Sequence, residues 1–95
     1  MLNSRQRSHL KRLANDIKPI FQIGKGGIGD NAAISISEAL EARELVKISV
    51  LQNSEVATKE AARELAFQTG AEVVAVIGRK IILYKESKDK KRIVI

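Results

Sequence analysis

Two β-branched runs, Glu72–Ile77 and Ile81–Tyr84, are separated only by Gly78-Arg79. Glycine at the first position of a two-residue loop suits a type II′ turn, so the pair predicts an antiparallel hairpin. Upstream of it the chain alternates between helical and extended patterns. Ser4 is read as the cap of a helix running to about Ala14, with Leu2, Leu10, Leu13 and Ile17 in one narrow sector of the wheel. Asn15-Asp16 ends it, and Pro19 opens a short buried-type strand, Ile20–Ile23. Asp30 is a candidate cap for a second helix reaching about Arg43, with Ala32, Ile36, Ala39 and Leu40 on one face. Val46-Lys47-Ile48-Ser49-Val50 alternates with period 2, as a half-buried strand does. Ser54 is read as the cap of a third helix, closed by Gly70 in a left-handed conformation. The order α-β-α-β-α-β-β predicts an α/β fold: a single compact domain on a four-stranded mixed sheet. Helices would link parallel strands by right-handed crossovers, and the hairpin would add an antiparallel partner.

A chain of 95 residues, 44% of them hydrophobic, suits one core. It has no cysteine, which removes disulfide frameworks and thiolate metal sites. The longest apolar run, Val73–Ile77, falls far short of the roughly 20 residues that cross a bilayer. The basic N-terminus lacks the apolar stretch of a secretory signal, and a cytoplasmic protein is expected. The net charge of +6 is unevenly spread. Residues 1–30 carry six Lys/Arg against two Asp/Glu, residues 31–75 four against seven, and residues 76–95 seven against two. If the two basic ends meet in space, they make a one-sided positive field suited to a polyanion. From Ser87 onward the sequence reads as a frayed basic tail.

Between the first strand and the second helix lies Gly24-Lys25-Gly26-Gly27-Ile28-Gly29. The Walker pattern fails here for want of a Lys-Ser or Lys-Thr. The dinucleotide fingerprint G-x-G-x-x-G matches at Gly24, Gly26 and Gly29, with Glu44 twenty residues after Gly24. That acid precedes the second strand, however, whereas a ribose-binding carboxylate belongs at the strand's far end. A small nucleotide-binding domain is therefore the alternative reading. The third template is G-x-x-G, Gly24-Lys25-Gly26-Gly27, whose bare backbone lets N–H groups reach a nucleic-acid phosphate while the lysine adds charge. Arg5, Arg7, Lys11 and Arg12 on the preceding helix, and Lys18, would extend it.

Phe21, Phe67 and Tyr84 are the only aromatics, too few for a stacking sheet, so recognition should rest on backbone and shape. Phe67 lies off the apolar stripe of the third helix. His9 is the single histidine, and no serine has a His/Asp relay. Glu38, Glu41 and Glu44 recur at i,i+3 spacing and are read as a solvated acidic face rather than a metal site. No enzyme, metal, cofactor or small-molecule substrate is expected.

The blocks L-K-R-L-A, K-P-I-F-Q-I-G-K-G-G-I, A-L-E-A-R-E-L-V-K-I-S-V, T-G-A-E-V-V-A-V-I-G and I-I-L-Y-K, spanning about Leu2 to Ser87, resemble the CRM domain. That module is named for chloroplast RNA splicing and ribosome maturation, and the chain resembles its stand-alone bacterial, YhbY-like form. The resemblance implies a fold related to the C-terminal domain of a bacterial translation initiation factor. It also implies RNA binding and association with precursors of the large ribosomal subunit, through their ribosomal RNA. By position, Gly24, Lys25, Gly26 and Gly27 match its RNA loop, and Arg5, Arg7, Lys11 and Arg12 its basic first helix. Residues 1–87 would form the RNA-binding domain and 88–95 a basic tail. Gly29, where such proteins often carry a polar cap, and Phe67, where a polar residue is expected, depart from the pattern.

Overall fold

The computed structural model describes residues 2–54 and 56–94. Seven elements follow in the expected order: α1 (Ser4–Ala14), β1 (Phe21–Ile23), α2 (Asp30–Arg43), β2 (Leu45–Val50), α3 (Thr58–Thr69), β3 (Glu72–Ile77) and β4 (Lys80–Tyr84).

The helix starts depart from the sequence reading, each for a local reason. The cap of α1 is Asn3, not Ser4: Asn3 Oδ1 accepts from the Gln6 N–H at 2.8 Å, and Gln6 Oε1 accepts from the Asn3 N–H at 3.0 Å. A reciprocal box needs an acceptor three residues after the cap, which Gln6 supplies for Asn3 and Arg7 cannot supply for Ser4. Asp30 is the first residue of α2, and Gly29 occupies the cap with no side-chain bond. Ser54 spends its hydroxyl on a turn, accepting from the Val56 N–H at 3.2 Å, and α3 begins only at Thr58. Its other end matches expectation, with Gly70 at φ +77°.

The four strands lie in the order β1-β2-β4-β3. β1 runs parallel to β2, with Phe21 opposite Ile48 and Ile23 opposite Val50. β4 is antiparallel to both neighbours and inserts between β2 and β3. Direct parallel pairing is thus confined to β1–β2; the α3 crossover returns the chain one strand further away. At the hairpin, Ile77 pairs with Lys80, and only Gly78 of the two loop residues has positive φ, the type II′ pattern.

Alternation along the strands divides the core. Ile23, Val46, Ile48, Val50, Ile81 and Leu83 face α2 and α3, where Ile36, Leu40, Ala61 and Leu65 close over them. Leu45, Val74, Ile82 and Tyr84 face the other way, against Leu2, Leu10 and Ala14 of the α1 segment. Leu13 is not part of that seal; at 40% exposure it lies on the rim, and the seam runs through Leu10 and Ala14, one i,i+4 step apart. A bulge between Val73 and Ala75 leaves Val74 unpaired. It turns Val74 and Ala75 toward the same side of the sheet.

Residues 87–93 are not frayed. Glu44, fully buried and at φ +67°, accepts from the Ser87 N–H at 2.8 Å, the Ile93 N–H at 2.8 Å and the Arg92 N–H. Glu41 accepts from the Ser87 hydroxyl at 2.6 Å and from the Lys88 and Asp89 N–H groups at 3.0 and 3.2 Å. Of the expected acidic face, only Glu38 remains exposed. The other two carboxylates bind the chain's own backbone.

Candidate nucleic-acid interface

The glycine loop leaves the C-terminal end of β1, where Ile23 meets Val50. The Gly27 N–H donates to the Gly24 carbonyl at 3.0 Å, closing a tight turn with Lys25 and Gly26 at its tip. Gly27 has φ +71°, a conformation that a side chain would strain. Gly26 is different: a Cβ there would meet nothing within 4 Å, and its φ is ordinary. The backbone therefore favours glycine at position 27 but not at 26. Bareness at 26 instead leaves the outer surface of the turn open to close approach. Lys25 is exposed at that tip.

Two more segments reach the same end of the sheet. The loop after β2 is tied to β1 by the Leu51 N–H on the Ile23 carbonyl at 2.8 Å, and the hairpin turn is tied to β2 by the Val50 N–H on the Arg79 carbonyl, also at 2.8 Å. Asn53 and Val56 side chains lie 3.8 Å from where Cβ atoms of Gly24 and Gly27 would stand. Between the second loop and the turn is an open cleft of about 520 Å³ lined by Gln52, Ser54, Val56, Thr58 and Arg79. The cap positions of α2 and α3, at the ends of these loops, carry no side-chain hydrogen bond. Both helix dipoles thus favour anions here, although Asp30 in the first turn of α2 and Glu60 in the first turn of α3 each counter their own. Arg79 was read from sequence only as a turn residue. Its place beside the glycine loop follows from β4 lying against β2, which local patterning does not reveal.

The basic helix lies elsewhere. α1 covers Leu45, the first residue of β2, and Tyr84, the last of β4, which pair at the opposite end from the loop. The structure does not bring Arg5, Lys11 and Arg12 to the glycine turn. All three are exposed, as is Lys18. Arg5 and Arg12 share a groove of about 360 Å³ with Gln6, His9 and Val94. Arg7 is half-buried, and its Nη1 donates to the Val73 carbonyl and, at 3.2 Å, to that of Val74. Its guanidinium therefore covers the carbonyls at the β3 bulge.

Glu44 lies at the end away from Gly24, Gly26 and Gly29, with its oxygens engaged by backbone N–H groups. It has no access to a ribose held at the loop, which removes the acid that a dinucleotide fingerprint needs. Burial pushes its carboxyl upward, but the N–H groups of Arg92, Ser87 and Ile93 outweigh that and hold it below the usual range. The Glu41 carboxyl is lowered to about 2, first by the Ser87 hydroxyl and then by the Lys88 and Asp89 N–H groups. Among the described residues, no group of three His, Cys, Asp or Glu side chains could hold a metal. No helix among them is long and apolar enough to cross a membrane.

The model of the CRS1 / YhbY (CRM) domain matches residues 2–85. A Bacillus subtilis protein named probable RNA-binding protein YqeI is 48% identical over 93 residues, which cover 98% of this chain and 97% of that one. An RNA-binding protein of Haemophilus influenzae is 28% identical, over 95% of this chain and 91% of its own. The solution structure of a hypothetical Staphylococcus aureus protein put forward as RNA binding superposes with a TM-score of 0.81 at 49% identity, covering 96% of this chain and 95% of that one.

Proposed function

The chain belongs to the CRS1/YhbY (CRM) domain family, and on that premise we propose that it is a non-enzymatic RNA-binding protein that clamps the RNA backbone with its glycine loop. The observation that carries this reading is the turn Gly24–Gly27, where Gly26 is bare without any need of the fold and Lys25 stands exposed beside it. The Gly26 backbone N–H holds a phosphate and Lys25 pairs with it, while the Gly27 N–H, read from the sequence as a second donor, is spent on the Gly24 carbonyl and shapes the turn. Arg5, Lys11, Arg12 and Lys18 engage phosphates of RNA passing round to the α1 side. Arg7 is committed to the sheet and is left out of that set.

The RNA partner is ribosomal RNA in precursors of the large ribosomal subunit, where the protein assists assembly in the cytoplasm. That part rests on the resemblance to YhbY-like proteins. Replacing Lys25 and Gly26 with glutamate should weaken RNA binding with the fold intact; unchanged affinity would remove the loop from the mechanism. Neutralising three or four phosphates of a single strand at the loop and α1 contributes about −2 to −3 to the slope of log K against log[salt]. Crosslinking in cells, followed by mapping of the bound RNA, tests the partner: enrichment of large-subunit precursors is expected, and their absence would overturn it.

A further inference from the structure

We infer that the basic C-terminal segment, docked beside α1, is a second RNA-contacting surface at the end of the molecule opposite the glycine loop. The inference rests on the RNA-binding reading and extends it to residues beyond the 2–85 matched by the family.

Acids placed near a lysine run would ordinarily cancel its charge by pairing with the ammonium groups. Here Glu41 and Glu44 spend their oxygens on the backbone N–H groups of Ser87, Lys88, Asp89, Arg92 and Ile93. A further bond, from the Lys90 N–H to Ser87 Oγ at 2.7 Å, tightens the same turn. The segment is thus fixed by its main chain, and its side chains stay free to face outward. Lys88, Lys90 and Arg92 are exposed and, among the described residues, make no side-chain hydrogen bond or ion pair, while Lys91 pairs with Glu86 at 3.3 Å.

The docking answers the condition set by the charge distribution: the two basic ends meet. Ile93 packs on the core beneath α1. Val94 shares a groove with Arg5, His9 and Arg12, and Arg92 shares another, of about 310 Å³, with Arg43 and the apolar Leu13, Ile17 and Leu45. Arginines from α1, α2 and the C-terminal segment thus surround two shallow grooves with partly apolar floors. Such a surface matches a charged backbone with exposed ribose and base faces. One RNA strand held at the glycine loop can continue along the sheet to this second surface, so that the two ends of the domain bind it together.

The test uses the full chain and an RNA stem-loop with a single-stranded extension, read by fluorescence anisotropy across a salt series. Lys88→Gln/Lys90→Gln/Arg92→Gln removes charge and keeps every backbone bond. It should flatten the salt slope by ~2 and weaken binding at 0.1 M salt by roughly ten- to a hundredfold, with an unchanged melting temperature. Glu44→Gln places an NH2 group against backbone donors and releases the segment while raising net charge. Weaker binding by this more positive variant supports a surface that must be held in place; tighter or equal binding overturns the docked arrangement. Lys25→Glu is the reference. If it loses affinity while the triple variant binds like the wild type, the second surface is refuted and the loop clamp stands. If the wild type fails to bind the RNA, both fall.

Discussion

Arg7 offers the sharpest separation of folding from binding. Sequence places it among four cations of one helix, but the structure gives its guanidinium two carbonyls, of Val73 and Val74, at the bulge. Arg7→Ala removes a charged donor from both, and bonds to charged groups contribute about 1.5–3 kcal/mol each. Arg7 is only half-buried, so water replaces part of that loss, leaving a net cost of about 2 kcal/mol. For a domain of this size each kcal/mol lowers the melting temperature by about 4–8 °C, so a drop of roughly 8–16 °C is expected. Arg5→Ala is the comparison: Arg5 is exposed and makes no hydrogen bond among the described residues, and its loss should cost under about 0.5 kcal/mol. Thermal unfolding by circular dichroism reads the first quantity, and RNA affinity measured well below both transitions reads the second. Arg7→Ala should unfold early and bind normally; Arg5→Ala should do the reverse. An Arg7→Ala protein that melts like the wild type but loses RNA affinity would refute the assignment.

Three other outcomes follow from the same geometry. Gly27→Ala should cost about 1 kcal/mol through its left-handed backbone, whereas Gly26→Ala should leave denaturant stability unchanged and weaken RNA binding; equal destabilisation by both would undo the distinction. The Glu41 carboxyl is held at about 2 in the folded chain, below its ordinary value of 4.5, by the Ser87 hydroxyl and the Lys88 and Asp89 N–H groups. Its contribution is therefore fully present above ~4.5 and is lost as pH falls through ~2, so the amide signals of residues 87–89 should hold steady from pH 5 to 8 and move only in acid. Leu10→Ala, at the fully buried centre of the α1 seam, should cost about 2–5 kcal/mol by calorimetry, and a cost below 1 would mean that α1 packs less tightly than described.

The parts legible in the sequence were those decided by neighbouring residues. Strand β3 and the Gly78-Arg79 turn depend on local patterning and on one glycine's backbone freedom, and both appear where expected. Gly70 ends α3 for the same reason. The start of α3 was misplaced because Ser54 had two local uses for its hydroxyl, and the turn with Val56 won. Contacts between residues far apart in sequence left no such signal. Glu41 and Glu44 look like a solvated helix face because their partners lie 43 to 49 positions away. Helical periodicity likewise cannot tell Arg5 from Arg7; the bulge that engages Arg7 belongs to a strand more than sixty residues later. The separation of α1 from the glycine loop has the same origin, since it depends on strand order.

The bulge in β3 has a consequence for solubility. β3 is an outer strand, rich in valine and isoleucine, of the kind that recruits a strand from another copy. A recruited strand needs an unbroken row of donors and acceptors at regular spacing. Val74 interrupts that row, and Arg7 already occupies two of its acceptors. The contact that seats the first helix therefore also guards this edge against self-templated growth, and a chain that loses Arg7 loses the seat and that guard in one step, with only the bulge left to protect the edge.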